Sequence, residues 1–220
     1  MNPKEELDTF DIPTPPRSKT GPLVYGEGIE EILARGLAPT SIEATHLWWF
    51  RIASSIAMLA QCQKAHCGAV LVSPVAFTHA GQDALFAGSL LAYGFNGPPQ
   101  NDPAYRKCGS ILPSKIHPKA DRTCCVHAEA RALFAASRDR LAGATLYFAR
   151  VDAKGSLDPS GRPYCTGCSK LALDLGVRKW VLWHAGGPRE YFADEYNHLS
   201  HEYDEEERRA RERGEGHFHG

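Results

Sequence analysis

Two short segments of the chain combine residue types that bind metals and move protons. The first is His127-Ala128-Glu129, and the second is Cys165-Thr166-Gly167-Cys168. One imidazole nitrogen and two thiolates make a three-ligand zinc set that leaves a fourth position for water, as catalytic zinc sites require. Bound zinc lowers the pKa of such a water towards neutrality. Glu129 follows the His127 ligand closely enough to accept the water proton and pass it on.

Each half of this pattern also has an ordinary explanation. His-x-Glu occurs by chance in many chains, and Cys-x-x-Cys also occurs in redox pairs and in structural zinc sites with another cysteine as fourth ligand. The two halves together are more specific, because they come in this order and each opens a predicted helix. A helix N-terminus also favours the thiolate form of cysteine. The presence of Glu129 argues against a purely structural zinc site, which does not need it.

The elements that must position these residues alternate along the chain. Apolar periodicity and turn residues predict helices at 42–63, 127–137, 165–175 and from 188 to about 213. Strands are predicted at 69–73, 89–94, 144–151 and 179–184, and a loop at 152–162. The first helix has one apolar stripe, formed by Trp49, Ile52, Ile56 and Leu59. This alternation indicates an α/β layered sheet with sites at the carboxyl ends of strands.

Composition divides the chain into three segments. Residues 1–40 begin with a proline-rich stretch and are predicted to form an extended N-terminal arm with a short helix. Residues 41–187 hold both metal motifs and form the predicted zinc domain. Residues 188–220 are predicted to be a charged C-terminal helix and tail, because acidic and basic residues recur there at three- and four-residue spacings.

The overall composition is that of a globular protein, with 43% hydrophobic and 23% charged residues. No stretch reaches the roughly 20 apolar residues of a membrane span, and the acidic N-terminus lacks a signal-peptide core, so we expect a cytoplasmic protein. The net charge of -1 argues against a nucleic-acid partner, because phosphate binding needs a basic surface. The seven cysteines favour metal binding over a disulfide framework in a reducing compartment.

Several segments resemble those of the zinc-dependent cytidine and deoxycytidylate deaminases, above all the deoxycytidylate enzymes. The matching segments are 67–72, 92–99, 126–130, 143–147, 165–168 and 176–181. The two metal motifs also follow the zinc deaminase signature. The resemblance implies an α/β fold with three layers, α/β/α, and a mixed sheet of about five strands. It implies Zn²⁺ held by His127, Cys165 and Cys168, with Glu129 as the proton shuttle.

The same resemblance assigns substrate contacts. Asn96 would contact the sugar, and the backbone amide of Ala128 would bind the pyrimidine carbonyl oxygen. The structural alternative for Asn96 is a plain turn residue beside Gly97. Tyr164 stands where the family has proline before the first zinc cysteine. Its ring either stacks on a base or packs in the core.

Phosphate recognition is where the chain departs most from the family. Deoxycytidylate deaminases have an Arg-Ser pair near the end of the first long helix, whereas residues 59–62 are Leu-Ala-Gln-Cys here. Donors for a phosphate must then come from elsewhere. Arg106 and Lys107, in the loop after Asn96, are the candidate contacts, together with Lys64 and Lys115.

A second, structural zinc is a further expectation from the resemblance, since some deoxycytidylate deaminases have one in this region. Its candidate ligands here are Cys62, Cys108 and Cys124. The spacing of these residues forms no tight motif, and buried cysteines are common as small hydrophobic side chains.

The expected activity is hydrolytic deamination of a cytosine nucleotide or nucleoside to the uracil product, with release of ammonia. The alternatives are deamination of another amino-bearing ring, such as a modified cytosine, a purine or a pterin, and editing of a base in tRNA or single-stranded nucleic acid. The non-enzymatic alternative is a structural zinc module. We expect a small-molecule substrate, no membrane partner and a homo-oligomer.

Overall fold

The computed structural model describes residues 41–62, 65–74, 88–107 and 124–213. The predicted N-terminal arm at 1–40, the candidate zinc ligand Cys108 and the candidate phosphate contacts Lys64 and Lys115 lie outside the described residues.

Helices and strands alternate through the described chain. The helices are α1 (Ile42–Ala57), α2 (Ala128–Ala135), α3 (Thr166–Asp174) and α4 (Ala193–Glu212). The strands are β1 (His66–Val72), β2 (Leu90–Phe95), β3 (Thr145–Val151), β4 (Leu157–Asp158), β5 (Lys179–His184) and β6 (Gly187–Phe192). Short 3-10 turns follow β2 and α2.

The six strands form one mixed sheet. Five of them lie in the order β2-β1-β3-β5-β6, and the two-residue β4 pairs with the end of β3. Strands β3 and β5 are parallel, and all the other pairs are antiparallel. The predicted mixed sheet is therefore confirmed. Strand β4 lies within 152–162, which was predicted to be a loop throughout.

Helices cover both faces of the sheet, which confirms the three-layer α/β/α architecture. On one face, the apolar stripe of α1 packs on alternate side chains of β1, including Val70 and Val72. On the other face, α2, α3 and α4 pack against the intervening side chains, such as Leu71. Strand β1 is buried along nearly its whole length because helices cover both of its faces.

Helix α1 ends at Ala57, so its predicted extension to residue 63 is wrong. Ser41 caps its start, where its side chain accepts a hydrogen bond from the Ala44 amide. The stripe continues to Leu59, but the chain tightens into a turn there, with Leu59 N–H donating to the Ile56 carbonyl. Gln61 N–H then donates to the Asn96 carbonyl instead of a helix carbonyl. The chain thus leaves the helix through a tight turn and is then held to a distant segment.

The segment after 187 was predicted to be helical from Pro188, and this is wrong as far as Phe192. Residues Gly187–Phe192 form the edge strand β6, which pairs antiparallel with β5. Its pattern is hard to recognise, because Tyr191 is its single fully buried side chain and proline is tolerated at a sheet edge. Helix α4 begins at Ala193, and none of the described helices is long and apolar enough to cross a membrane.

Two glycines let helices approach the sheet at backbone distance. A Cβ atom on Gly94 of β2 would lie 2.6 Å from the Ala132 nitrogen of α2, and closer still to the Ala128 carbonyl oxygen. A Cβ atom on Gly68 of β1 would meet the α1 backbone in the same way. Both contacts involve backbone atoms, which cannot rotate away. The position of α2, and of the residues at its start, thus depends on Gly94.

We therefore expect Gly94→Ala to displace α2 and lower the free energy of unfolding by about 1–3 kcal/mol, as overpacking does. Gly186→Ala is the matched control, because a Cβ there would meet nothing within 4 Å, and its effect should stay within about 0.5 kcal/mol. Denaturant unfolding of both variants measures the difference. Equal stabilities of the two variants would contradict the close approach of α2 at Gly94.

Candidate metal centre

The start of α2 presents His127 and Glu129 on one side of the site. His127 is the N-cap residue, with extended backbone angles, and Glu129 lies in the first helical turn. The chain before His127 is fixed by a two-way backbone bridge between Val126 and Gly97, with N···O distances of 2.8 and 3.3 Å. The Glu129 side chain is only 2% exposed, whereas His127 is half-buried.

The start of α3 presents the two cysteines from the other side. Cys165 is the N-cap residue, and its Sγ accepts a hydrogen bond from the Cys168 amide at 3.2 Å. This cap bends the chain so that Cys168, in the first turn, turns its sulfur towards the same point. Both cysteines are buried.

The donor atoms from the two helices meet in one small volume. His127 Nδ1 lies 3.3 Å from Cys165 Sγ and 3.4 Å from Cys168 Sγ. With a Glu129 carboxylate oxygen, these atoms all lie within 4.8 Å of one another. Among the described residues, no other set of three or more His, Cys, Asp and Glu side chains comes together in this way.

This donor set fits zinc. Zinc binds soft thiolates and imidazole nitrogens, and His with two Cys is a known catalytic ligand set. In a tetrahedral site with Zn–N of about 2.0 Å and Zn–S of about 2.3 Å, the nitrogen and sulfur lie about 3.5 Å apart. The observed separations of 3.3 and 3.4 Å are close to this value. His127, Cys165 and Cys168 would therefore hold the ion, and Glu129 would lie beside it.

Burial and close contact shift the pKa values of these groups. Burial raises the pKa of Glu129 to about 7, although the nearby imidazole of His127 opposes the shift. The pKa of Cys165 falls to about 5, because hydrogen bonds from the Cys168 thiol and from His127 outweigh its burial. Burial acts to lower the pKa of His127, but its hydrogen bond to Cys165 and the charge of Glu129 raise that pKa to about 9. The site therefore favours an anionic sulfur ligand and a carboxylate that exchanges protons near neutral pH.

Helix α4 packs against α3, which carries the two cysteines of the candidate metal centre. The fully buried Ser169 of α3 donates to Asn197 Oδ1 at 3.0 Å and lies 3.1 Å from Ser200 Oγ. Tyr196, on the same helix, stacks on Trp180 of the sheet with ring centroids 4.0 Å apart. The charge pattern predicted a charged helix here and did not point to the buried Tyr196 and Ser200. Ser169 and its partners Asn197 and Ser200 are too far apart in the sequence to form a recognisable motif.

The candidate substrate contacts lie around this centre. Asn96 is buried, its Oδ1 accepts from Cys67 N–H, and its Nδ2 donates to the Ala65 carbonyl, each at 2.9 Å. Ala128 is the first residue of α2, where a backbone N–H has no acceptor within its own helix. Tyr164 directly precedes Cys165 and is 38% exposed. The substrate roles of these three residues stay predictions.

The candidate phosphate contacts lie on the loop after β2. Arg106 Nη2 donates to the Gln61 carbonyl at 3.2 Å. Its Nε is buried and has no hydrogen-bond partner among the described residues. Lys107 is exposed. These contacts also stay predictions.

Part of the candidate second-zinc set is brought together. Cys62 is buried and hydrogen-bonds to Cys125, whose sulfur lies 4.0 Å from that of Cys124. Cys125 was not among the candidate ligands, and Cys108 lies outside the described residues. A second zinc at Cys62, Cys108 and Cys124 stays a prediction.

Comparisons with known proteins find similar solved structures but no family or curated protein that matches the chain. A dCMP deaminase from the cyanophage S-TIM5 is 22% identical, over 64% of this chain and 82% of that one, with a TM-score of 0.38. Two forms of RibD from Acinetobacter baumannii are 19% identical, with TM-scores of 0.32 and 0.31. Their matches cover 64% and 62% of this chain but only 28% and 27% of theirs. At such values the side chains of the site, and not the similarity, have to support a function.

The donor geometry predicts that the purified protein contains at least one zinc ion per chain. His127→Ala and Cys165→Ala should each remove it, because two remaining ligands hold zinc poorly. His201→Ala, at an exposed position on α4, is the control and should keep the metal. Elemental analysis of the three variants decides the matter, and a full zinc content in Cys165→Ala would disprove the assignment.

Proposed function

We propose that this protein is a zinc-dependent hydrolytic deaminase that converts a cytosine nucleotide or nucleoside, such as dCMP, to the uracil product and ammonia. The observation that supports this most is the buried Glu129 carboxylate, which lies within 4.8 Å of the candidate ligand atoms of His127, Cys165 and Cys168. A structural zinc site gains nothing from such a carboxylate, because burying an ionisable group without a partner is costly.

The chemistry is divided between the metal and the protein. When bound, zinc supplies a water of lowered pKa. Glu129 would accept one proton from the attacking water and pass it to the ring nitrogen N3. It would then accept the second proton of the same oxygen and pass it to the leaving amine, so that the oxygen becomes the carbonyl of the product. Burial raises the pKa of the Glu129 carboxyl, which makes it a stronger base for the water proton. The Ala128 amide, at the positive end of α2, would donate to the carbonyl oxygen of the pyrimidine.

Rival functions differ in what they require of the site. A modified cytosine, a purine or a pterin could undergo the same chemistry, so the substrate class must be tested directly. Editing of tRNA or single-stranded nucleic acid would require a basic binding surface, and the net charge of -1 does not favour one. The expected cytoplasmic location and homo-oligomeric assembly stay predictions.

Ammonia release from a substrate panel tests the proposed function. The panel contains cytidine, deoxycytidine, CMP and dCMP, the substrate of the cyanophage enzyme, together with a purine and a pterin that carry amino groups. We expect release from at least one cytosine compound. Glu129→Gln is the control and should keep its zinc but lose turnover by about 10²–10⁴-fold or more. No release from any cytosine compound by zinc-loaded protein would refute the proposal, and more than about a tenth of the activity in Glu129→Gln would refute the proton-shuttle role.

Arg106 provides a separate test of phosphate recognition. A charge-assisted contact to a phosphate contributes about 1.5–3 kcal/mol, or roughly 10- to 150-fold in kcat/KM. If Arg106 binds the phosphate, Arg106→Ala should lower kcat/KM for the monophosphate by this factor and leave the nucleoside little changed. Arg51→Ala, at an exposed position on α1, is the control. Comparable kcat/KM for nucleoside and monophosphate in the wild type would instead show that the enzyme makes no use of the phosphate.

A further inference from the structure

Arg131 connects the helix that begins at the metal centre to the loop after β2. It lies one turn after His127 in α2, and its amide donates to the His127 carbonyl at 3.1 Å. Its guanidinium leaves the helix and reaches the loop formed by residues 97–101. There, Nη1 donates to Asn101 Oδ1, and Nη2 donates to the carbonyls of Gly97 and Pro98 at 3.1 and 2.6 Å.

The 97–101 loop has a conformation that needs external support. Gln100 and Asn101 have φ values of 54° and 56°, in the left-handed region that residues other than glycine rarely adopt. Local backbone bonds hold the turn together, with Asn101 N–H donating to the Pro98 carbonyl and Asp102 N–H to the Pro99 carbonyl. Strained backbone of this kind persists where the surroundings fix it. The guanidinium of Arg131 donates to three acceptors of this loop and is placed to provide such support.

The loop also adjoins both sides of the proposed active site. It follows Asn96, the predicted sugar contact, directly along the chain. Its first residue, Gly97, forms the backbone bridge to Val126, immediately before the zinc ligand His127. The Gly97 carbonyl therefore accepts hydrogen bonds from both Val126 and Arg131. A change in the loop would shift the sugar side of the site relative to the metal.

We propose that Arg131 is a positioning residue, which fixes the 97–101 loop against α2 so that the sugar side of the substrate site is preformed. The expected effect on substrate binding rests on the proposed deaminase function. The contact between Arg131 and the 97–101 loop does not depend on that function. Arg131 acts through the loop and not on a phosphate, because both of its terminal nitrogens are directed at loop acceptors. Lysine cannot replace it, since one ammonium lacks the planar fork that reaches three acceptors at once.

The first test measures the loop itself by hydrogen–deuterium exchange. Arg131→Ala keeps good helix propensity in α2, and Arg131→Lys also keeps the charge. In both variants, amides of the 97–101 segment should exchange on the order of tenfold faster, while the β3 amides keep their rates. Arg140→Ala, at an exposed position, is the control and should exchange like the wild type. Unchanged exchange of the loop in Arg131→Ala would overturn the proposal, whether or not the protein is a deaminase.

The second test separates substrate positioning from general damage. Zinc-loaded Arg131→Ala should show a KM for the sugar-bearing substrate raised on the order of tenfold, with kcat changed little, because the loss lies in binding. Millimolar, non-denaturing guanidinium should lower that KM again, and it should not affect Arg140→Ala. Loss of zinc, or a fall in kcat without a change in KM, would instead assign Arg131 to the stability of α2. If the wild type deaminates nothing on the panel, the proposed function fails, and the exchange rates alone decide whether Arg131 holds the loop.

Discussion

An imidazole, two thiols and a carboxylate lie within 4.8 Å of one another, and three of these four groups are buried. Such a concentration of electron-pair donors is unfavourable unless positive charge balances it, because burial removes the water that would otherwise solvate them. The protein supplies part of that charge through the N-termini of α2 and α3, whose dipoles point at the site. A zinc ion bound by His127, Cys165 and Cys168 would supply the rest. The N-termini of α2 and α3 must meet at one point, and this requirement constrains the order of the strands and the connections between them.

The parts of this centre that are local in sequence could be predicted from it. His127 and Glu129, like Cys165 and Cys168, lie within one helical turn, so their spacing alone shows that their side chains converge. The strands before them are apolar enough to be recognised. The end of α1 could not be predicted, because the apolar stripe continues to Leu59 although the chain has already turned. The chain beyond that turn is held by the distant Asn96 carbonyl. Arg131 was missed for the same reason, since two of its acceptors are backbone carbonyls more than thirty residues away.

Asn96 has a structural role and is also the predicted sugar contact. Its carbonyl oxygen and amide group each make one hydrogen bond to the start of β1, at Cys67 and Ala65. A primary amide has two hydrogens and two lone pairs, so one donor and one acceptor site remain. The plain-turn explanation of Asn96 is therefore too weak, because the side chain joins β2 to β1. A sugar hydroxyl could be bound by the remaining sites without breaking either bond, in an orientation that the fold already fixes.

The region after residue 187 contributes α4, which packs against α3 and helps to fix the position of α3. Helix α3 has nine residues, which is short for a helix that must be stable by itself, so its position depends on packing. Sheet residues lie on one side of it, and α4 lies on the other through Ser169, Asn197 and Ser200. Without α4, Trp180 would lose its stacking partner Tyr196, and the Ser169 hydroxyl would lose two polar contacts in the interior. Displacement of α3 would move Cys168, and with it one sulfur of the candidate metal set. The charged outer face of α4 is exposed to solvent, as its sequence indicates, while its inner face supports the helix that carries two of the candidate metal ligands.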